Sequence, residues 1–261
     1  MMKKAVTNQI EGFQFNKNIY SETGLFIIRN AIPKDEILKL QSIWNVYFCN
    51  LNQNDSRNID LNNPVNFNEN LPEGLNNFWK SVSIQSISKD IFGDNVALYN
   101  HRIVMKDKKS DQSIFLHQDY PYHIGFHEKC SLFVPLFNCG LENGGMTYYL
   151  GSHQYGYLGD AGEIDESKFE QWSKITPDLN AGDIVVMNSL LWHKSGPNFS
   201  EKDRVLFDII IQPSNDPSGI ELISGEWKTD FWVDRKRSDF KVDSLFINSR
   251  TKKLKILSSN K

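Results

Sequence analysis

Apolar positions along this chain change their spacing twice. GLFII at 24–28 is continuously apolar, as in a short buried strand. From Pro33 onward Ile37, Leu40, Trp44 and Phe48 recur at helical intervals, with Asp35 and Glu36 placed where a first turn favours acidic groups. The pattern predicts a strand running into an amphipathic helix. Periodicity lapses over 50–77, where asparagine is abundant and Pro64 and Pro72 interrupt, so a long loop or lid is expected there. A short helix over 78–92 follows. Beyond it the runs NVALYNHRIVMK, SIFLHQDY, CSLFVPLFN, GGMTYYLGS, GDIVVMNSLLWHKSG and DRVLFDIIIQP read as strands punctuated by glycine, proline and asparagine. Six such runs in about 120 residues predict an antiparallel sandwich or barrel. An acidic insertion around EIDESKFEQW separates two of them, and the chain closes on a basic end, RTKKLKILSSNK, expected to be solvated.

Composition narrows the class. With 261 residues, 39% hydrophobic and 12% aromatic, the chain can bury one sizeable core. A single domain over 1–261 is expected: an N-terminal strand, helices and Asn-rich loop (1–95), a β core (96–215) and a C-terminal extension (216–261). A net charge of −3 and a pI near 6.1 provide no broad basic surface, which points away from nucleic acid and towards a small-molecule substrate. Cys49, Cys130 and Cys139 form no CxxC pair, so neither a disulfide framework nor a cysteine zinc site is encoded. No apolar run has the length of a signal peptide or membrane span, and the expectation is a cytoplasmic protein that does not engage a membrane.

The candidate chemistry sits at His117-Gln118-Asp119. In a strand, residues two apart share a face, so His117 and Asp119 can present an imidazole and a carboxylate together while Gln118 points away. His193, at the end of the apolar run DIVVMNSLLWH, is the best third ligand. Two histidines and one carboxylate on one face leave three coordination positions open, as in non-haem Fe(II) oxygenases, whereas structural zinc is usually closed off as a tetrahedron. Ser195 shares the strand face of His193, and Arg204 follows the turn GPNFSEKD, so a hairpin would return Arg204 towards Ser195. A planar guanidinium beside a hydroxyl suits the far carboxylate of a dicarboxylic co-substrate. An ion pair of Arg204 with Glu201, Asp203 or Asp208 is the structural alternative.

Taken together, HQD, the turn NGGMTYYLGSH, the segment GDIVVMNSLLWHKSG, Arg204 and the opening GLFIIRNAIPKDEILKL resemble the phytanoyl-CoA dioxygenase family of Fe(II)/2-oxoglutarate oxygenases, over roughly 24–213. The resemblance implies a mainly β fold with flanking helices around a double-stranded β-helix, the cupin-like jelly roll. It implies His117, Asp119 and His193 as iron ligands, Arg204 and Ser195 as the 2-oxoglutarate anchor, and Lys106 as a further co-substrate contact, although KDKKSD also reads as surface charge. The implied reaction consumes dioxygen and 2-oxoglutarate, gives succinate and carbon dioxide, and oxidises a substrate C–H bond, hydroxylation being the expected outcome. Desaturation, ring formation and epimerisation use the same chemistry. Halogenases of this kind lack the carboxylate ligand, so Asp119 argues against halogenation.

Tyr120, Tyr122 and Trp192 flank the proposed ligands and are candidates for substrate contact, or for filling the barrel. His153 and His101 read as structural, and His123 and His127 as loop histidines. Two other readings stay open: a catalytically silent jelly roll that keeps the metal for ligand binding, and a cupin-like metalloenzyme of hydrolase or isomerase type.

Overall fold

The computed structural model describes residues 10–54, 65–67, 71–108, 110–123, 127–159 and 163–216. The N-terminal elements are β1 (Glu11–Gly12), α1 (Lys17–Thr23), β2 (Leu25–Ile28) and α2 (Lys34–Asn54). The Asn16 side chain caps α1 by accepting from the backbone N–H groups of Asn18 and Ile19, and Gly24, at φ 75°, ends it and turns the chain into β2. In α2 the predicted stripe is real: Ile37, Leu40 and Trp44 are buried against the sheet, each side chain worth roughly 1.5–3 kcal/mol of transfer free energy.

The loop expected over 50–77 is more ordered than its composition implies. Helix α2 runs on to Asn54, β3 (Val65–Phe67) adds an edge strand, and α3 (Glu73–Asn76) precedes a single 3-10 turn over Phe78–Lys80. Residues 55–64 and 68–70, which carry the rest of that expectation, lie outside the described residues, as does the extension from 217 onward. The helix expected over 78–92 is split at Ser81, whose hydroxyl caps α4 (Val82–Phe92).

The strands that follow are β4 (Val96–Lys106), β5 (Ile114–His117), β6 (Cys130–Pro135), β7 (Met146–Tyr149), β8 (Lys174–Ile175), β9 (Ile184–Asn188), β10 (His193–Ser195) and β11 (Arg204–Pro213). They form two sheets: a seven-stranded one in the order β1-β2-β9-β6-β11-β4-β3, and a four-stranded one in the order β5-β10-β7-β8. All pairings but β1–β2 are antiparallel. The fold is the jelly roll. One cluster, including Phe207, Ile209 and Ile211 of β11, packs the helices on the outer face of the large sheet. A second, including Leu206, Phe133, Val185, Met187 and Tyr148, fills the space between the sheets.

Two strand expectations are corrected. DIVVMNSLLWHKS is not one strand but two, β9 and β10, belonging to different sheets; Asn188 makes the break, its side chain accepting from Leu190 N–H and its carbonyl from Leu191 N–H. His193 therefore opens a strand of the small sheet instead of ending one. Likewise β10 and β11 form no hairpin, because they face each other across the sandwich.

Candidate active site

Strands β5 and β10 pair with His117 opposite His193, and their ring centroids lie 4.2 Å apart. Asp119 reaches both: its Oδ1 is 3.5 Å from His117 Nε2 and 3.6 Å from His193 Nε2. The three ligand atoms all lie within 4.8 Å of one another, and this is the only such group found among the described residues. Each imidazole is fixed through its other nitrogen, His117 Nδ1 with the carbonyl of Phe115 at 2.7 Å and His193 Nδ1 with that of Leu191 at 3.0 Å. A carbonyl only accepts, so Nδ1 carries the proton and both Nε2 lone pairs are turned towards Asp119. Two neutral imidazoles and a carboxylate with that orientation fit ferrous iron.

The route to this geometry differs from strand alternation. Strand β5 ends at His117, and Asp119, at φ −75° and ψ −26°, heads the 3-10 turn Tyr120–Tyr122. What aims Asp119 is the residue between. Gln118 is fully buried, donates to the carbonyls of Gly156 and Leu190, and accepts from Leu158 N–H. It thus ties the HQD segment to the turn that delivers His193, a role its place in the motif does not reveal.

Electrostatics within the triad follow from crowding. Burial pushes Asp119 up, but His193 and His117 outweigh that and hold it well below the usual carboxylate range. Burial and the neighbouring His117 bring His193 down to about 4. His117 is shifted upward, because its bond and charge attraction to Asp119 overcome burial.

A second cluster lies beside the first. Arg204, buried inside the sandwich, donates to the carbonyl of Gly144 at 2.7 Å and is the register partner of Lys106 across β11 and β4. Lys106 is also buried, and its Nζ donates to Ser195 Oγ at 3.0 Å, to the carbonyl of Gln112 at 3.1 Å and to that of Gly196. Surface charge is therefore the wrong description of Lys106, and it is Lys106, not a hairpin, that connects Arg204 to Ser195. Burial and the charge of Arg204 lower its pKa to about 8. Gly144, at φ 77°, makes the close approach possible, since a Cβ there would meet Lys106 Cδ at 2.8 Å. Arg204 Nε and the hydroxyl of Tyr148 are buried with no hydrogen-bond partner among the described residues. Two buried cations, a hydroxyl and a phenol converging in one place fit a carboxylate group. Tyr148, stacked on His193 at 6.3 Å and paired with it across β7 and β10, lies beside the triad, a placement that alternation along MTYYL left undecided.

Of the flanking aromatics, Tyr122 is 44% exposed and meets His117 edge-on at 6.5 Å, and Tyr120 lies 6.5 Å from Tyr157. Trp192 is placed elsewhere. It is fully buried in a separate cluster with Leu116, Tyr149 and Phe169, 4.8 Å from the Phe169 ring, under the acidic insertion. Next to His193 in sequence, it takes the opposite face. His101 bonds Asn76 Oδ1 of α3 at 3.0 Å, and His153 bonds the carbonyl of Ser21.

A profile of the phytanoyl-CoA dioxygenase (PhyH) family matches residues 20–206, well over half of the chain. The chain belongs to that family. It is an Fe(II)/2-oxoglutarate-dependent oxygenase whose cofactors are iron, 2-oxoglutarate and dioxygen. The dioxygenase olcK of Penicillium canescens is 25% identical over 218 residues, covering 76% of this chain and 69% of that protein. Among solved structures, the non-heme monooxygenase ThoJ superposes with a TM-score of 0.66 at 18% identity, over 94% of this chain and 99% of its own. The 2-oxoglutarate-dependent epimerase SnoN of nogalamycin biosynthesis does so with a TM-score of 0.63 at 14% identity, over 85% and 87%. These two likenesses concern the fold. No helix among the described residues is long and apolar enough to cross a membrane.

Proposed function

We propose that this family member hydroxylates an unactivated C–H bond of a small metabolite or biosynthetic intermediate, with His117, Asp119 and His193 holding iron and Arg204, Ser195 and Lys106 holding the distal carboxylate of 2-oxoglutarate. The observation that carries the assignment is the pair of Nδ1 bonds to strand carbonyls, which commits both Nε2 atoms to the point where Asp119 Oδ1 also arrives. Iron with 2-oxoglutarate supplies the oxidising chemistry when bound. The chain's own part is orientation and exclusion of water. Gln118 fixes the spacing of the ligand segments, Ser131 Oγ lies 3.5 Å from Asp119 Oδ2, and the buried Lys106–Arg204 pair gives the co-substrate one polarity of entry. Tyr120 and Tyr122, on the turn after the ligands, are the proposed substrate contacts.

Anaerobic addition of Fe(II) and then 2-oxoglutarate tests the reading through the weak visible charge-transfer band of the chelate. The band is expected in the wild type, and Asp119→Ala is expected to lose both it and succinate formation. Full turnover by Asp119→Ala would remove that residue from the site. A chain that binds metal but never develops the band would instead be a silent jelly roll or a metalloenzyme of another class.

A further inference from the structure

The proposed co-substrate cluster is walled on one side by a cysteine with no part in the assignments above. Cys139 is 4% exposed and belongs to the inter-sheet cluster that also holds Tyr148, Leu179 and Leu206. Its charged neighbours are Arg204, Asp178 and Lys106, with no member of the His117–Asp119–His193 triad among them, whereas Tyr148 is near both Cys139 and Asp119. Cys139 therefore lies at the end of the cluster away from the triad. Burial outweighs the two cations and raises the thiol, so it stands there as a compact neutral wall.

The backbone around it is pinned. Cys139 N–H donates to the carbonyl of Leu179 at 2.9 Å, and its own carbonyl accepts from Leu179 N–H at 2.7 Å. Immediately beyond, Gly140 N–H donates to Asn143 Oδ1 at 2.8 Å and Gly145 N–H to the Gly140 carbonyl at 2.7 Å, closing the turn whose Gly144 carbonyl takes the Arg204 guanidinium. One turn thus fixes Cys139 and Arg204 against each other. A buried cysteine alone is ordinarily packing. What points to a ligand here is Arg204 Nε and the Tyr148 hydroxyl, both on fully buried side chains beside the thiol and both without a hydrogen-bond partner among the described residues.

We infer that the Cys139 side chain is the floor of the 2-oxoglutarate pocket and sets the length of 2-oxo diacid that the pocket accepts. The inference rests on the function proposed above and adds a specificity-determining residue at the co-substrate end. Its basis is steric. With one end of the diacid held at the triad and its far carboxylate at Arg204, a diacid one methylene longer drives that carboxylate past the cations into the wall. A close-packed interior on a pinned backbone gives way little, and a misfit of one methylene is worth roughly 10- to 200-fold. Sulfur is all that Cys139 carries beyond its Cβ, with a bulk close to that of a methylene. Alanine would therefore deepen the pocket by about that amount, and the branched side chain of valine would fill it.

The test measures Kd values of oxaloacetate, 2-oxoglutarate and 2-oxoadipate, which differ by one methylene each, from the chelate band of the anaerobic Fe(II) protein. Wild type is expected to prefer 2-oxoglutarate to 2-oxoadipate by about tenfold or more. Cys139→Ala should shrink that preference at least about fivefold, chiefly by tighter binding of 2-oxoadipate. Cys139→Val should weaken 2-oxoglutarate about tenfold or more and the shorter oxaloacetate less. Co(II) affinity should stay within about twofold in both, which identifies a folded variant with an undisturbed metal site. The two substitutions push in opposite directions, so misfolding of one leaves the other to decide. Equal binding of 2-oxoadipate and 2-oxoglutarate by wild type would overturn the inference. So would a size preference within about twofold of wild type in either metal-competent variant. Absence of the band from wild type with every diacid would strike the proposed function itself, and the inference with it.

Discussion

Replacing Arg204 by methionine is the most informative single perturbation of the proposed co-substrate cluster. Methionine fills most of the space of the buried side chain, so the sandwich keeps its packing while the guanidinium is lost. Truncating one partner of a buried, hydrogen-bonded charge pair costs about 2–5 kcal/mol of binding. Lys106 remains in place with its ammonium 3.0 Å from Ser195 Oγ, which puts the expected loss in the lower part of that range, about 2–3 kcal/mol, or roughly 30- to 150-fold in the Kd of 2-oxoglutarate. The carbonyl of Gly144 also loses its donor, at about 1 kcal/mol of stability, too little to unfold the domain. Anaerobic titration of the Fe(II) protein with 2-oxoglutarate, following the chelate band, gives the affinity, and a Co(II) titration gives that of the metal site. Metal affinity should hold, since Arg204 is not among the three clustered ligand residues. A 2-oxoglutarate Kd within about threefold of wild type, with the protein folded and metal-competent, would refute the carboxylate assignment.

Three further outcomes follow from the same geometry. Lys106 is brought down to about 8 by burial and Arg204, so it is charged below that pH and neutral above it. Affinity for the 2-oxoglutarate dianion should therefore weaken as pH rises through 8, and Lys106→Met should flatten that profile in isothermal titration. Gln118→Leu strands the carbonyls of Gly156 and Leu190 and the N–H of Leu158. At about 1–3 kcal/mol for each unsatisfied buried group, stability to urea should fall by at least about 3 kcal/mol, and metal affinity by about 10–100-fold as the ligand segments lose register. Trp192→Ala should cost about 3–5 kcal/mol in the same unfolding assay, because Trp192 fills the cluster under the acidic insertion. A loss under about 1 kcal/mol would show that it is not a packing residue.

Patterning along the chain determined the class of fold and the chemistry of the site. The apolar stripe of α2, the apolar runs that became β4 and β11 and the residue types of His117, Asp119, His193, Ser195 and Arg204 are local properties, and local sequence carries them. The helix boundary at Asn54 and strand β3 were not legible, because asparagine weakens both kinds of pattern and tertiary contacts decided the outcome. Nor did one apolar run from Asp183 to Trp192 reveal that it crosses between two sheets, since periodicity says which residues are buried and not which partner buries them. The same limit explains the site. Alternation placed Asp119 beside His117 for a reason the chain does not use, and proximity in sequence put Trp192 near a centre it faces away from. The contacts of Lys106 with Ser195, of Tyr148 with His193 and of Gln118 with Leu158 and Leu190 exist only in the folded chain, because they are relations between residues far apart in sequence.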